Sequence, residues 1–436
     1  MLSSELGKRA WSTDESRDYV KSLLHFRRCS YYGSKRTETK SCCVLACGRC
    51  CSHLASAGLL VTVVFLIALA ITLSRVLPAE DPFRLHHNHS RHAAMVELVN
   101  GGDFGWQARL NPEASDPMTP AAWRQFNRER DSQRSKLHAQ LSRTTAPSMK
   151  DIQAIWMNVS EAVVEDLDAL EMEVPVQWDA RDAWPFCDSI PSIVNQGGCG
   201  SCWAVAATTA MADRHCIHSQ GAVRPRLSIQ ELLTCCQFCG YGCQGADTVP
   251  AYHYWLTQGI VSGGWYGSEE GCQPYSVSAE CGSPCPVAYY YASNTPQCSR
   301  SCLRPQRFQY NQSKFFGETA YLLGRRWSSL TFDKEPAEDD EVMMRRLQKE
   351  LMRNGPLTVS FKVYEDLQHY TSGVYEHVTG VYLYGHSARL IGWGEEDGRQ
   401  YWTLANSWGR DFGEFGFVRV NRKLRLYDPV GGIPLL

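Results

Sequence analysis

Between Cys51 and Cys187 the chain has no cysteine, although it carries 19 of them in 436 residues. Six lie before residue 52 and thirteen between residues 187 and 302. So long a gap separates two environments. A bias of charge is missing too: 44 Lys and Arg against 46 Asp and Glu leave a net charge of −2. Without polybasic character, nothing global points to nucleic acid as a partner. Long apolar runs are absent with one exception. Residues 54–74, LASAGLLVTVVFLIALAITLS, contain no charged side chain and are long enough to cross a bilayer as a helix.

That exception organises the rest. A buried core helix would keep a polar face, which this run lacks. A cleaved signal peptide would not carry a leader of 53 residues. Residues 1–53 hold ten Lys/Arg against five Asp/Glu, and Arg49 sits close to the run. The positive-inside rule then keeps 1–53 as a cytosolic tail, makes 54–74 a transmembrane signal anchor, and sends everything from 75 onward into a lumen. The three Asn-x-Ser sequons, at Asn88, Asn158 and Asn311, all follow the run and are expected to be glycosylated there. The thirteen later cysteines fall where disulfides persist. The earlier group abuts the membrane on the other side, so Cys42, Cys43, Cys47, Cys50 and Cys51 are candidates for S-palmitoylation. A metal knuckle is disfavoured, because no ordered ligand framework surrounds them. DYVKSLL in the tail resembles an acidic dileucine sorting signal with Asp18 one residue too far upstream.

At 436 residues more than one part is expected. Residues 75–173 are polar, with charged helical stretches such as PAAWRQFNRERDSQRSKLHAQL, and suit a spacer or pro-segment. At about 174 the composition turns rich in Trp, Gly, Tyr and Cys and stays so to 436, enough chain for one large domain or two lobes around a cleft. WAVAATTAMADRHCI has alanine-rich helical character. DDEVMMRRLQKELMRNG predicts a helix stopped by Gly355. After it PLTVSFKVY, HVTGVYLY, SARLIGWG, YWTLANSW and GFVRVN predict short strands. A helical half therefore precedes a sheet half.

The stretch NQGGCGSCWAV holds Cys199 and Cys202. Cys-x-x-Cys can be a redox pair, half of a metal site, or a structural thiol beside a reactive one. A redox pair should sit near a βαβ pattern, whereas this one precedes a helix in a domain of thirteen cysteines. An odd number in a lumenal domain leaves one thiol free. Cys202 stands just before the helical run, where the helix N-terminus favours a sulfur anion. A thiolate nucleophile needs an imidazole and a group to orient it. His386 and Asn406 are offered at the ends of strand-like runs, but the residues alone do not choose His386 over His377 or His253.

NQGGCGSCWA, GHSARLIGWG and ANSWG, in that order, resemble the papain family of cysteine peptidases. WDARDAWPFC, LLTCC, VSGGWYGSEEGCQPYS, QCSRSC, SGVYEHVTG and VGGIP extend the resemblance toward cathepsin B across 174–436. ELVNGGDFGWQARLN resembles the start of a cathepsin B pro-segment, so the likeness covers roughly 80–436. It implies an α+β, papain-like two-lobe fold, helical on one side and β-barrel-like on the other, with the active site in the cleft. It implies Cys202 as nucleophile and His386 as acid/base. Asn406 would orient the imidazole, Trp408 would shield that hydrogen bond, and the Gln196 amide would join the Cys202 N–H in an oxyanion hole. It further implies disulfides Cys187–Cys216, Cys199–Cys243, Cys235–Cys298, Cys236–Cys239, Cys272–Cys302 and Cys281–Cys285. No cofactor and no metal are expected; a zinc site at Cys235, Cys236, Cys239 and Cys243 would be the metal alternative. Implied partners are peptide and protein substrates, the chain's own pro-segment as inhibitor, and cystatin-type inhibitors. Localisation follows as a type II membrane precursor of an endosomal, lysosome-like or secretory compartment, freed from its anchor by cleavage near 170–174.

Three departures from cathepsin B alter the expected specificity. Its occluding loop carries paired histidines that grip a substrate carboxylate, but only Gly-Ser-Pro separates Cys281 from Cys285 here. Endopeptidase action is therefore expected over removal of C-terminal dipeptides. The Gly-Gly that pairs with substrate backbone is Gly245-Ala246, and a β-carbon there costs energy if the backbone needs positive φ. Asp428 falls where cathepsin B keeps an acid at the base of S2, implying tolerance of basic P2 residues, unless it is a solvated turn residue before Pro429. A non-catalytic binding protein on this fold would have lost the nucleophile. A peptide ligase would use the same thioester with an amine in place of water.

Overall fold

A computed structural model of the protein describes residues 82–112, 149–324 and 340–436. The anchor at 54–74, the tail cysteines and the charged stretch at 120–141 lie outside the described residues. Among those described, no helix is long and apolar enough to cross a membrane.

The chain enters through helix α1 (Pro82–Gly101), strand β1 (Trp106–Ala108) and helix α2 (Met149–Ala169). Strand β2 (Trp178–Asp179) and the one-turn helix α3 (Ala180–Ala183) open the region from 174 onward. The first lobe is built on α4 (Cys202–His218), α5 (Ile229–Cys235) and α6 (Thr248–Gln258). Short helix-forming runs start where side chains satisfy their first N–H groups: Ser228 accepts from Glu231 N–H at α5, and Asp247 accepts from Val249 N–H at α6. Gly259, at φ 65°, ends α6. The apolar face of these helices, with Trp203, Met211, Leu232, Tyr252 and Trp255, forms one core.

After strand β3 (Ile260–Val261), helix α7 (Val287–Ala292), and strands β4 (Lys314–Phe315) and β5 (Gly317–Leu322) comes helix α8 (Asp340–Asn354), halted by Gly355 at φ 95° as its sequence predicts. The second lobe follows: β6 (Leu357–Tyr364), β7 (Tyr370–Tyr375), β8 (Tyr382–Glu396), β9 (Arg399–Ala405), β10 (Phe417–Asn421) and β11 (Tyr427–Pro434). With β1, β2 and β5 they form, among the described residues, a nine-stranded sheet in the order β1-β7-β10-β9-β8-β6-β11-β5, with β2 paired to β8. Alternating inward residues of β6 (Leu357, Val359, Phe361, Val363) fill the second core.

The structure departs from the expected strand HVTGVYLY. Residues 377–381 lie outside any strand, and Tyr382, Leu383 and Tyr384 of VYLY begin a single strand with SARLIGWG. The reason is Asp366. Its buried carboxylate accepts the N–H groups of Val378 (2.8 Å) and Thr379 (3.0 Å) and contacts His377, taking those donors away from any ladder.

Helix α4 lies between the lobes and is buried from Trp203 to Ile217 on every residue but Thr209. Its two buried charges are paired across the lobe boundary. Arg214 bonds Glu350 of α8 (2.7 Å) and the carbonyls of Gly355, Pro356 and Gly432. Asp213 bonds Arg389 of β8.

Candidate active site

The loop before α4 is drawn tight against the loop at 242–245. Cys199 is bonded to Cys243, and the Gly200 N–H donates to the Cys243 carbonyl at 2.7 Å. A β-carbon at Gly200 would stand 2.5 Å from that carbonyl oxygen, so the Cys-Gly-Ser-Cys spacing needs its glycine. The result is that Cys202 begins α4 at the edge of the cleft. Among the described residues it is the free cysteine. The other twelve later cysteines form the six pairs that the resemblance implies. Cys235, Cys236, Cys239 and Cys243 are thus all consumed by disulfides, which removes the zinc alternative.

Between the lobes runs a cleft of about 450 Å³, lined by Gln196, Cys202, Gly245, Ala246, His386 and Asp428. Asn406 and Trp408 stand behind His386 rather than in the cleft wall. His386 Nε2 lies 2.7 Å from Asn406 Oδ1, which also accepts the Ser407 N–H at 2.8 Å. An oxygen already accepting from a backbone N–H is fixed as an acceptor, so the His386 Nε2 must carry the proton. Nδ1 is then the bare nitrogen, available as a base. Trp408, fully buried, packs at 4.9 Å from the imidazole, and Phe361 meets it edge-on at 5.5 Å. The two alternative histidines are engaged elsewhere: His377 on Asp366 and stacked on Tyr364, His253 against Trp156 and Phe238.

Gln196 is buried at the cleft wall with its carbonyl oxygen held by Ser407 Oγ (2.6 Å) and one amide hydrogen held by the Cys199 carbonyl (2.8 Å). Its second amide hydrogen remains for an oxyanion. Burial pushes the Cys202 thiol up to about 11, against the backbone groups of Ser387, Trp203 and Cys202 itself, which favour the anion. Burial likewise holds His386 down to about 4, against the Asn406 bond. Desolvation here outweighs the backbone groups that favour the anion, which favours the neutral thiol and neutral imidazole.

Gly245 takes φ 97°, whereas Ala246 is not among the residues with positive φ, so its β-carbon introduces no strain of that kind. Asp428 does have positive φ (45°), at a register shift between Tyr427 and Val430 that turns it into the cleft. It is a half-buried residue of strand β11 rather than a turn residue. Sequence reasoning missed Tyr290 and Tyr384. They line the cleft from opposite lobes with rings 5.7 Å apart, Tyr290 on α7 directly after the shortened Cys281–Cys285 loop. The run Tyr289-Tyr290-Tyr291 beside that loop was the available signal.

Upstream residues pack on the second lobe and reach the disulfide loop at 281–285. β1 pairs antiparallel with β7, Trp106 facing Gly373. The Val374 N–H donates to Gly105 O (2.8 Å) and Thr371 Oγ1 to Gln107 O (2.9 Å). Asn111 Nδ2 then donates to Ser283 O (3.2 Å), which brings the chain to the disulfide loop at 281–285.

Residues 174–427 match the papain family cysteine protease profile. A cathepsin B-like cysteine proteinase 6 of Caenorhabditis elegans is 43% identical over 61% of this chain and 68% of its own length. Cathepsin B-like cysteine proteinase 4 of the same organism is 36% identical over 78% of this chain and 92% of its own. Among solved structures, a procathepsin B from Trypanosoma congolense superposes with a TM-score of 0.53 at 26% identity, over 79% of this chain and 97% of that one. The chain belongs to the papain family. Within that family it is a cathepsin B-like, cysteine-type peptidase, a hydrolase with a pro-segment.

Proposed function

We propose that the chain is the membrane-anchored zymogen of a lumenal cysteine endopeptidase that cuts peptide bonds through a thioester on Cys202. The observation that carries the mechanism is the His386 tautomer, with Nε2–H committed to Asn406 and Nδ1 bare. In the open cleft Nδ1 takes the Cys202 proton, and the sulfur attacks the peptide carbonyl. The carbonyl π electrons move to oxygen, where the Gln196 amide and the Cys202 N–H receive the charge. Collapse expels the amine, which takes the proton from His386. Water, deprotonated by the same nitrogen, then releases the acid and restores the thiol. Gly245 and Ala246 offer backbone groups to the substrate, Trp408 keeps water from the His386–Asn406 bond, and Asp428 favours a basic P2 side chain.

The endopeptidase reading rests on the short loop. Capture of a terminal carboxylate needs cationic donors, and Gly282, Ser283 and Pro284 supply none. The test compares a peptide with a blocked C-terminus and its free-acid twin. Equal cleavage, or preference for the blocked form, fits the reading; strong preference for the free acid contradicts it.

Residues 54–74 as anchor, 1–53 as cytosolic tail with lipidated cysteines, and an endosomal, lysosome-like or secretory destination complete the proposal. Its support is the charge asymmetry about the apolar run and the position of the sequons. Asn158 and Asn311 are exposed. Ser160 of the first of these sequons is buried and its hydroxyl accepts the Leu322 N–H, so Asn158 would be glycosylated before the chain folds. Cystatin-type proteins are the inhibitors such a cleft would accept.

A further inference from the structure

The two described segments before residue 174 differ in whether histidine holds them to the body. Residues 82–112 bury Val99, Trp106 and Ala108 in the second core, pair β1 with β7, and make polar contacts to the 3-10 turn Glu365–His369. Arg91 pairs with Glu365 (2.5 Å) with its own side chain half exposed. Beside it His92 and His369, both buried, meet Nδ1 to Nε2 at 2.7 Å. The Asn111 N–H donates to His369 Nδ1 at 3.1 Å. With Nδ1 accepting, His369 Nε2 carries the proton and donates to His92. An added proton on either ring must land on a nitrogen that is already accepting, and so breaks a bond between the upstream segment and the body. The charged groups facing the pair are Arg91 from α1, and Glu365 and Asp366 from the turn, with His377 on the far side of Asp366.

Helix α2 is held otherwise. Ile152, Trp156, Ser160, Val164 and Leu167 fall on one stripe and are all buried. Ile152 and Trp156 belong to the core of the first lobe, and Leu167 to that of the second. Ser160 Oγ accepts the N–H of Leu322 in β5 (3.0 Å). Asp168 takes two bonds from the buried Arg346 of α8 (2.9 and 2.6 Å), and Lys349 donates to the Leu167 carbonyl (2.9 Å). Residues 149–169 contain no histidine. Acid that breaks the histidine contacts of the first segment finds no histidine to charge in this one.

We propose that helix α2 is a permanent part of the peptidase, retained on the body when conversion of the zymogen releases residues 82–112. This rests on the reading of the upstream chain as a pro-segment. Loss of the helix would open both cores at once, leave the Leu322 N–H without the Ser160 hydroxyl, and take the Asp168 carboxylate from the buried Arg346. This burial spans both cores and has no histidine for acid to charge, so it holds the helix whether its link to Trp178 is cut or intact. The lumenal chain thus divides at the helix into a removable inhibitor and a structural wedge that spans both lobes.

The experiment is to acidify the full lumenal chain, tag the active enzyme through Cys202 with an epoxide probe, and quantify its peptides under native purification. Residues 149–169 recovered one-to-one with the body, and 82–112 lost, support the proposal. Active enzyme without 149–169 overturns it. Active enzyme that still carries 82–112 overturns the pro-segment reading and takes the proposal with it. A second measurement uses Trp156→Ala in the tagged enzyme, where the thermal midpoint should fall by roughly 5–10 °C. An unchanged midpoint contradicts retention. If that variant does not fold, Trp156→Phe should show a smaller fall of the same sign.

Discussion

Asn406 decides what His386 can do. Because its oxygen is held by the Ser407 N–H, it orients the imidazole with the basic nitrogen toward the cleft. Gln196 is held in the same fashion, by Ser407 and the Cys199 carbonyl, with one amide hydrogen to spare. Replacing Gln196 with Ala should lower kcat by about 10²–10³, the usual cost of one oxyanion donor, with KM nearly unchanged. Steady-state kinetics on the matured enzyme checks this, and an equal loss spread into KM would point to a disturbed cleft instead. Desolvation in the zymogen pushes the half-buried thiol up to about 11, so the intact zymogen should react with thiol probes far more slowly than matured enzyme at neutral pH. Cys202 and its helix were legible in the sequence because one thiol of thirteen had to be free. His386 was not legible without the family resemblance, since His377 and His253 offered the same ring. What separates them is Asn406 Oδ1, twenty residues away in sequence.

At the scale of elements, two interfaces can be titrated or broken. Burial, then the neighbouring His92, holds His369 down to about 4, with Asp366 acting in the other direction. A free histidine titrates near 6.5. The released segment therefore takes up protons that the docked one excludes. Docking is complete above about pH 6.5 and weakens as pH falls from there through about 4, roughly tenfold per pH unit for each proton. Cys202 labelling in the zymogen, normalised to the matured enzyme, should rise steeply over that window. In His92→Gln it should rise less steeply, because Gln can still accept from His369 but does not titrate. Identical profiles would rule out the histidine pair as the trigger. The second interface is the pair Arg214–Glu350, both side chains fully buried between α4 and α8. Glu350→Ala leaves Arg214 charged and buried, and should cost about 3–5 kcal/mol of stability by denaturant unfolding. The helical pattern of α4 and α8 was plain in sequence. The strand-free stretch at 377–381 was not, because a carboxylate from another element captures its backbone.

The whole molecule is a two-lobe peptidase whose upstream chain reaches the second lobe, the disulfide loop at 281–285 and both cores. Its overall plan was readable: helices first, strands after, thirteen cysteines in six pairs and one thiol. The integration of α2 was not, because its buried stripe lies in a stretch of polar character whose partners, β5, α6 and α8, come 80 residues or more later. Distant partners leave no local trace in the sequence. The account as a whole rests on Cys202 being the activated nucleophile that an upstream segment masks until acid releases it. The most direct test labels the acid-matured lumenal chain with an epoxide or vinyl-sulfone probe, with Cys202→Ala alongside. The account predicts stoichiometric labelling of the matured enzyme, little in the untreated zymogen and none in the variant. No labelling of a folded, processed enzyme, or labelling that survives in Cys202→Ala, would contradict it.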